Sequence, residues 1–88
     1  ANVKKNISLH KQFLHTFWDS IENLYIEHSE FISEISIYDM QGRKVFFKKV
    51  ESQKNSVHII LNNLSSGIYL IKVTNNINNT LYQKVIKK

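Results

Sequence analysis

At 88 residues, with 12 Lys and Arg against 7 Asp and Glu, the chain is long enough for one hydrophobic core and no more. It has no cysteine, which excludes disulfides and thiolate metal sites and leaves the redox compartment undecided. No apolar run approaches the roughly 18 residues of a membrane span, and the net charge of +5 suits nucleic acid, anionic lipid or an acidic protein without choosing among them.

Residues 1–6 are polar and expected to fray. Lys4, Lys5, His10, Lys11 and Gln12 break any apolar stretch of a secretory signal, and a start at Ala1 reads as a piece of a longer protein. Phe13, Leu14, Phe17, Trp18, Ile21, Leu24 and Tyr25 recur at the spacing of an amphipathic helix, so a partly helical N-terminal segment is expected. Leu24 and Ile26 also alternate with Tyr25, which opens a strand reading from Asn23 to His28.

The stretch Ile35 to Val45 is the best-specified local structure. Ile35 and Ile37 alternate with Ser36 and Tyr38, Asp39 can accept the turn's amides, and Gly42 can take a positive φ. Phe31 to Tyr38 and Arg43 to Val50 are the predicted arms of this hairpin, with Val45 and Phe47 on one face of the return arm. Glu51 to Ser56 is a polar turn. Val57, Ile59 and Leu61 alternate with His58 and Ile60 as a further strand, ended by Asn62 and Asn63.

Gly67 to Thr74 is apolar on both faces, as a central strand should be. Asn75 to Asn79 reads as a turn, since Asn tolerates left-handed geometry, and Leu81 to Ile86 as a last strand. The expected fold is all-β: a small antiparallel Ig-like β-sandwich of six to seven strands. Residues 23–88 form the sandwich, with 1–22 an N-terminal segment packed on it through Phe17 or Trp18.

Chemistry is sparse. His10, His15, His28 and His58 form no His-x-x-x-His pair and have no zincin-like Glu, so no metal site or cofactor is expected. Ser29, Ser65 and Ser66 lack a nucleophile context, and no enzyme is expected. Lysines 44, 48, 49, 84, 87 and 88, interleaved with Phe46, Phe47 and Tyr82, imitate a nucleic-acid surface. Lysines on edge strands also deter aggregation, and no nucleic-acid partner is expected.

Three spaced elements carry a resemblance. Asp39-Met-Gln-Gly42-Arg43-Lys-Val45 resembles a D-x-x-G-[RK]-x-V turn. Leu64-Ser-Ser-Gly67-Ile68-Tyr69 resembles an L-x-x-G-x-Y element, and Lys84-Val85-Ile86-Lys87-Lys88 a lysine-bearing final strand. Their order resembles the type A C-terminal sorting domain of the type IX, or Por, secretion system, over about Asn23 to Lys88. Family members carry a Pro-Asn-Pro segment before the first regular strand; here His15-Thr16-Phe17 stands in that place, without proline.

The resemblance implies an address on an exported cargo. The domain would follow a cargo domain in the same chain and pass through the periplasm. Outer-membrane type IX translocon components would then recognise it, and a sortase-like peptidase would cut it off at the cell surface or outside the cell. Lys84, Val85, Ile86, Lys87 and Lys88 are the expected recognition residues. Asp39, Gly42, Arg43, Val45, Leu64, Gly67 and Tyr69 are expected to shape the fold, Tyr69 by burying its ring while its hydroxyl meets a backbone partner. The competing expectation is an accessory Ig-like module of a surface protein that binds glycan or protein.

Overall fold

Alternation of β-branched and polar residues dictates most of the architecture. The computed structural model describes residues 13–18 and 22–88. These form β1 (Leu14–Trp18), β2 (Asn23–His28), β3 (Ile32–Tyr38), β4 (Lys44–Lys49), β5 (Ser56–Ile60), β6 (Gly67–Asn75) and β7 (Thr80–Lys87). All pair antiparallel in two sheets, ordered β1-β2-β5 and β4-β3-β6-β7.

The sheets bury one stripe each against the other. Leu24 and Ile26 of β2 and Val57 and Ile59 of β5 meet Ile35 and Ile37 of β3, Tyr69, Ile71 and Val73 of β6, and Val85 of β7. Removing such side chains from water contributes roughly 1.5–3 kcal/mol each. Ile32 and Leu61 extend this core beyond the strand centres, and Leu14, Trp18, Phe46, Val50 and Leu64 pack on its rim.

The helical expectation for Phe13 to Tyr25 is overturned. Among the described residues, this stretch is two antiparallel strands, with Phe17 opposite Tyr25 and Trp18 opposite Leu24. The misleading spacing arises because β1 and β2 carry aromatic rings on both faces. Trp18 packs on the core while Phe17 stays 40% exposed, so apolar positions fall at intervals of three and four by accident. The segment His15-Thr16-Phe17 runs as the middle of β1, paired with β2. A proline there would take an amide out of the strand. Ile21, with the rest of 19–21 and 1–12, lies outside the described residues.

The predicted hairpin arms are confirmed with shorter bounds. On the return arm Phe46 is the core-side residue, and Val45 and Phe47 are exposed. A register irregularity between Ile37 and Tyr38 places two residues of β4 against one of β3 and re-aims its side chains. As expected, Gly67 to Thr74 lies in a central strand, between β3 and β7.

Candidate recognition surface

The three motif elements are built by separate chain segments and converge at one end of the four-stranded sheet. In the β3–β4 turn, Asp39 Oδ1 accepts the backbone amides of Gln41 at 3.0 Å and Arg43 at 2.9 Å. Asp39 Oδ2 accepts Arg43 Nε at 2.8 Å. The Arg43 amide, helped by the Arg43 guanidinium and the Gln41 amide, holds the Asp39 carboxyl below the usual carboxylate range. Gly42 sits at φ 84°, where nothing would obstruct a Cβ; the backbone angle alone demands glycine.

The second element turns the chain from β5 into β6. Gly67 has φ 152° and again faces open space. Two residues on, the Tyr69 ring is 6% exposed and its hydroxyl donates to the Ser65 carbonyl at 2.7 Å. This single bond ties the strand to the corner that precedes it, as expected for a buried tyrosine. Leu64 packs half-buried beside the core. The two turns share a groove of about 340 Å³ lined by Asp39, Arg43, Val45, Leu64, Gly67 and Tyr69.

On β7 the expected recognition residues divide by face. Val85, opposite Tyr69, is buried in the core, and Lys87, opposite Gly67, is 7% exposed with Nζ 5.7 Å from the centre of the Trp18 ring. Lys84 and Ile86 point outward and Lys88 is exposed. Lys84 stands in a cross-strand row with Leu70, Tyr38 and Lys44. Next to it run Tyr82, Lys72, Ser36 and Phe47. A shallow groove of about 530 Å³ lies over these rows, with Tyr38, Leu70, Lys72, Tyr82 and Lys84 along it and Asp39 and Tyr69 at its end.

Tyr38, Leu70 and Lys72 were not singled out from the sequence as site residues. Only the strand order β4-β3-β6-β7 places them beside Lys84, and nothing local in a sequence encodes that order.

The opposite sheet presents a different face. Phe17, Tyr25 and His58, on successive strands, stack with centroids 5.2 and 4.5 Å apart and nearly parallel planes. His15 leans on Phe17 and lies 3.6 Å from Glu27. Phe17 and His58 thus each cover one face of the Tyr25 ring. Among the described residues, no group of three or more His, Asp or Glu side chains could hold a metal ion, and no helix is long and apolar enough to cross a membrane.

A family model described as secretion system C-terminal sorting domain matches residues 20–88. The chain belongs to that family. The match takes in the turn, the corner and the last strand, so this sorting domain holds all three elements within the matched region, while β1 precedes it. A search of curated proteins finds no match.

Among solved structures, the domain is similar to a DUF3244 family protein with an immunoglobulin-like β-sandwich fold from Bacteroides vulgatus ATCC 8482. The TM-score is 0.67 at 21% identity, covering 89% of this chain and 98% of that one. It is also similar to CopC from Methylosinus trichosporium OB3b, with a TM-score of 0.53 at 16% identity over 86% of this chain and 90% of that one. At these identities the likeness shows the fold alone, an Ig-like sandwich; in this chain β1 pairs with β2 as one of its strands.

Proposed function

We propose that this sorting domain is read by outer-membrane components of the type IX machinery through the outer face of β7. The cargo to which it is joined would be carried through the periplasm to the cell surface or beyond, and a sortase-like peptidase would then remove the domain. The domain itself performs no catalysis in this reading. Membership of the sorting-domain family supports the address.

The observation that carries the choice of surface is the division of β7. Val85 and Lys87 are anchored inward, while Lys84, Ile86 and Lys88 are displayed on a folded sandwich. Ile86, at 60% exposure beside the half-exposed Ile68, gives an apolar anchor flanked by charge. Asp39, Gly42, Arg43, Val45, Leu64, Gly67 and Tyr69 hold the end of the sheet in shape and act only through it.

The test is a reporter carrying a signal peptide at one end and residues 1–88 at the other, expressed in a type IX-competent cell. Export of the parent fusion and periplasmic retention of a Lys84→Glu/Ile86→Ser fusion, with unchanged thermal unfolding, is the expected outcome. Normal export of that variant removes β7 as the recognition surface. Retention of the parent fusion itself favours an accessory surface-protein module.

A further inference from the structure

The two long sides of the sandwich differ. On one, β1 packs beside β7, with Trp18 on the core and the Lys87 ammonium over its ring. On the other, β4 and β5 are both sheet edges, and no described strand pairs with the outer edge of either. Every residue of β4 except Phe46 is exposed, including Val45 at 36% and Phe47 at 48%. Among the described residues, the polypeptide edge on this side is open.

Hydrogen-bond parity shows which groups are free. The Val50 amide donates to the Ser33 carbonyl at 2.9 Å. With Ile35 opposite Lys48 and Ile37 opposite Phe46, the amides of Phe46 and Lys48 turn toward β3. Those of Phe47 and Lys49 therefore turn away from it, into the gap. Beside them lies a groove of about 300 Å³ that reaches across to β5, with Lys48, Lys49, Lys54 and His58 on its walls and Glu51 its one acid. Every charged side chain of β4 itself is a lysine.

An open edge invites pairing, and the charges select what can pair. A second copy of this chain, laid antiparallel along β4, would set lysines against lysines, which opposes the ladder. An extended segment alternating acidic and apolar residues meets the opposite situation: its carboxylates, all on one face, line up with Lys48 and Lys54 on the groove side, and its apolar side chains lie on the other face with Phe47.

We propose that the β4 edge is a docking site for an extended acidic segment of a partner protein, which adds to the four-stranded sheet as a further strand. This goes beyond recognition through β7, because it uses the opposite edge of the same sheet. The same lysines that deter self-association give the site its specificity.

The test is amide hydrogen exchange by NMR on the 88-residue protein, titrated with an end-capped octapeptide of alternating Glu and Val. The Phe47 and Lys49 amides should slow by about tenfold or more as the ladder forms, while core amides of β6 stay unchanged. A Lys48→Glu/Lys49→Glu variant should lose this protection and gain it with the matching Lys and Val octapeptide. The Lys84→Glu/Ile86→Ser variant should bind the acidic peptide as the parent does, which separates this site from the β7 surface.

Equal protection by the Lys and Val peptide on the parent protein overturns the proposal, as does binding that leaves Phe47 and Lys49 exchanging freely. Displacement of the peptide by inorganic polyphosphate with no slowed amide at any concentration of either ligand assigns the groove to polyanions instead. A concentration-dependent dimer of the protein alone, with those two amides already slow, assigns the edge to a second copy.

Discussion

Asn75 does in the β6–β7 turn what Asp39 does in the β3–β4 turn. Asn75 Oδ1 accepts the amides two and four residues ahead, Ile77 at 3.0 Å and Asn79 at 2.9 Å, as Asp39 Oδ1 accepts those of Gln41 and Arg43. The backbone repeats the pattern too: Asp39 N to Arg43 O and Gly42 N to Asp39 O correspond to Asn75 N to Asn79 O and Asn78 N to Asn75 O. One turn design thus closes both hairpins of the four-stranded sheet, β3–β4 and β6–β7, with Gly42 at φ 84° and Asn78 at φ 66° in the matching left-handed position.

This equivalence predicts opposite effects from exchanging the two residues. Asn78→Gly should stabilise the protein by about 0.5 kcal/mol, because the left-handed angle no longer strains a Cβ. Gly42→Ala should cost about 1–2 kcal/mol for the same reason, despite the open space around it. Urea midpoints with unchanged slopes measure both. A stabilised Gly42→Ala protein would show that the turn takes another conformation.

Tyr69 separates shape from hydroxyl chemistry. Tyr69→Phe keeps the buried ring and deletes the bond to the Ser65 carbonyl, so a loss of about 1 kcal/mol is expected. Tyr69→Leu should cost more by leaving unfilled space between the sheets. Equal stability of wild type and Tyr69→Phe in denaturant would show that water replaces the bond at no cost.

These residues were legible in the sequence because their roles are local. A positive-φ glycine, an Asx side chain ahead of it and a tyrosine two residues after a glycine each signal through adjacent positions. The strands containing Ile35 and Ile37, or Val57, Ile59 and Leu61, were legible through period-two burial. Illegible were the features set by strand neighbours. β1 resembled a helix because Phe17 faces outward to stack on Tyr25. Nothing local marks Phe46, rather than Val45 or Phe47, as the residue of β4 that turns to the core; its place opposite Ile37 does. Val85 and Lys87 read as exposed with the rest of the last strand, yet the pleat turns both inward.

His28 gives the fold a pH dependence. It is 2% exposed, its Nδ1 accepts the Glu30 amide at 2.8 Å, and its buried Nε2 has no hydrogen-bond partner among the described residues. Nδ1 as acceptor places the proton of the neutral ring on Nε2. Burial lowers the His28 pKa below 6.5, with Glu30 pulling weakly the other way. The unfolded chain therefore binds the proton more readily. His28 contributes its stability above pH 6.5, and the contribution is lost as pH falls through the lower folded value. Urea midpoints should drop from pH 7.5 to pH 5. His28→Asn, which keeps an acceptor but cannot titrate, should flatten that part of the profile. A profile that keeps its full slope in this variant would assign the effect to another group.

Lys87 holds the last strand to the first through its stem and its charge. Its side chain crosses from β7 to Trp18, the chain's one tryptophan, with the ammonium 5.7 Å from the ring centre. A lysine stem buried in this way covers apolar surface while its head stays on an electron-rich face. Lys87→Ala should cost about 1–2 kcal/mol and shift Trp18 emission to longer wavelength as β1 loosens. Lys87→Arg keeps a cation of similar reach and should restore both stability and emission. If emission is unmoved in Lys87→Ala, the ring is held by the core alone. Because Lys87 faces inward, Lys87→Arg should also leave export of a reporter fusion intact, in contrast to Lys84→Glu/Ile86→Ser on the outer face. Parallel loss of export in both would mean that the machinery reads the lysine side chain at position 87 itself after β1 has moved aside, and not only the face that the folded sandwich displays.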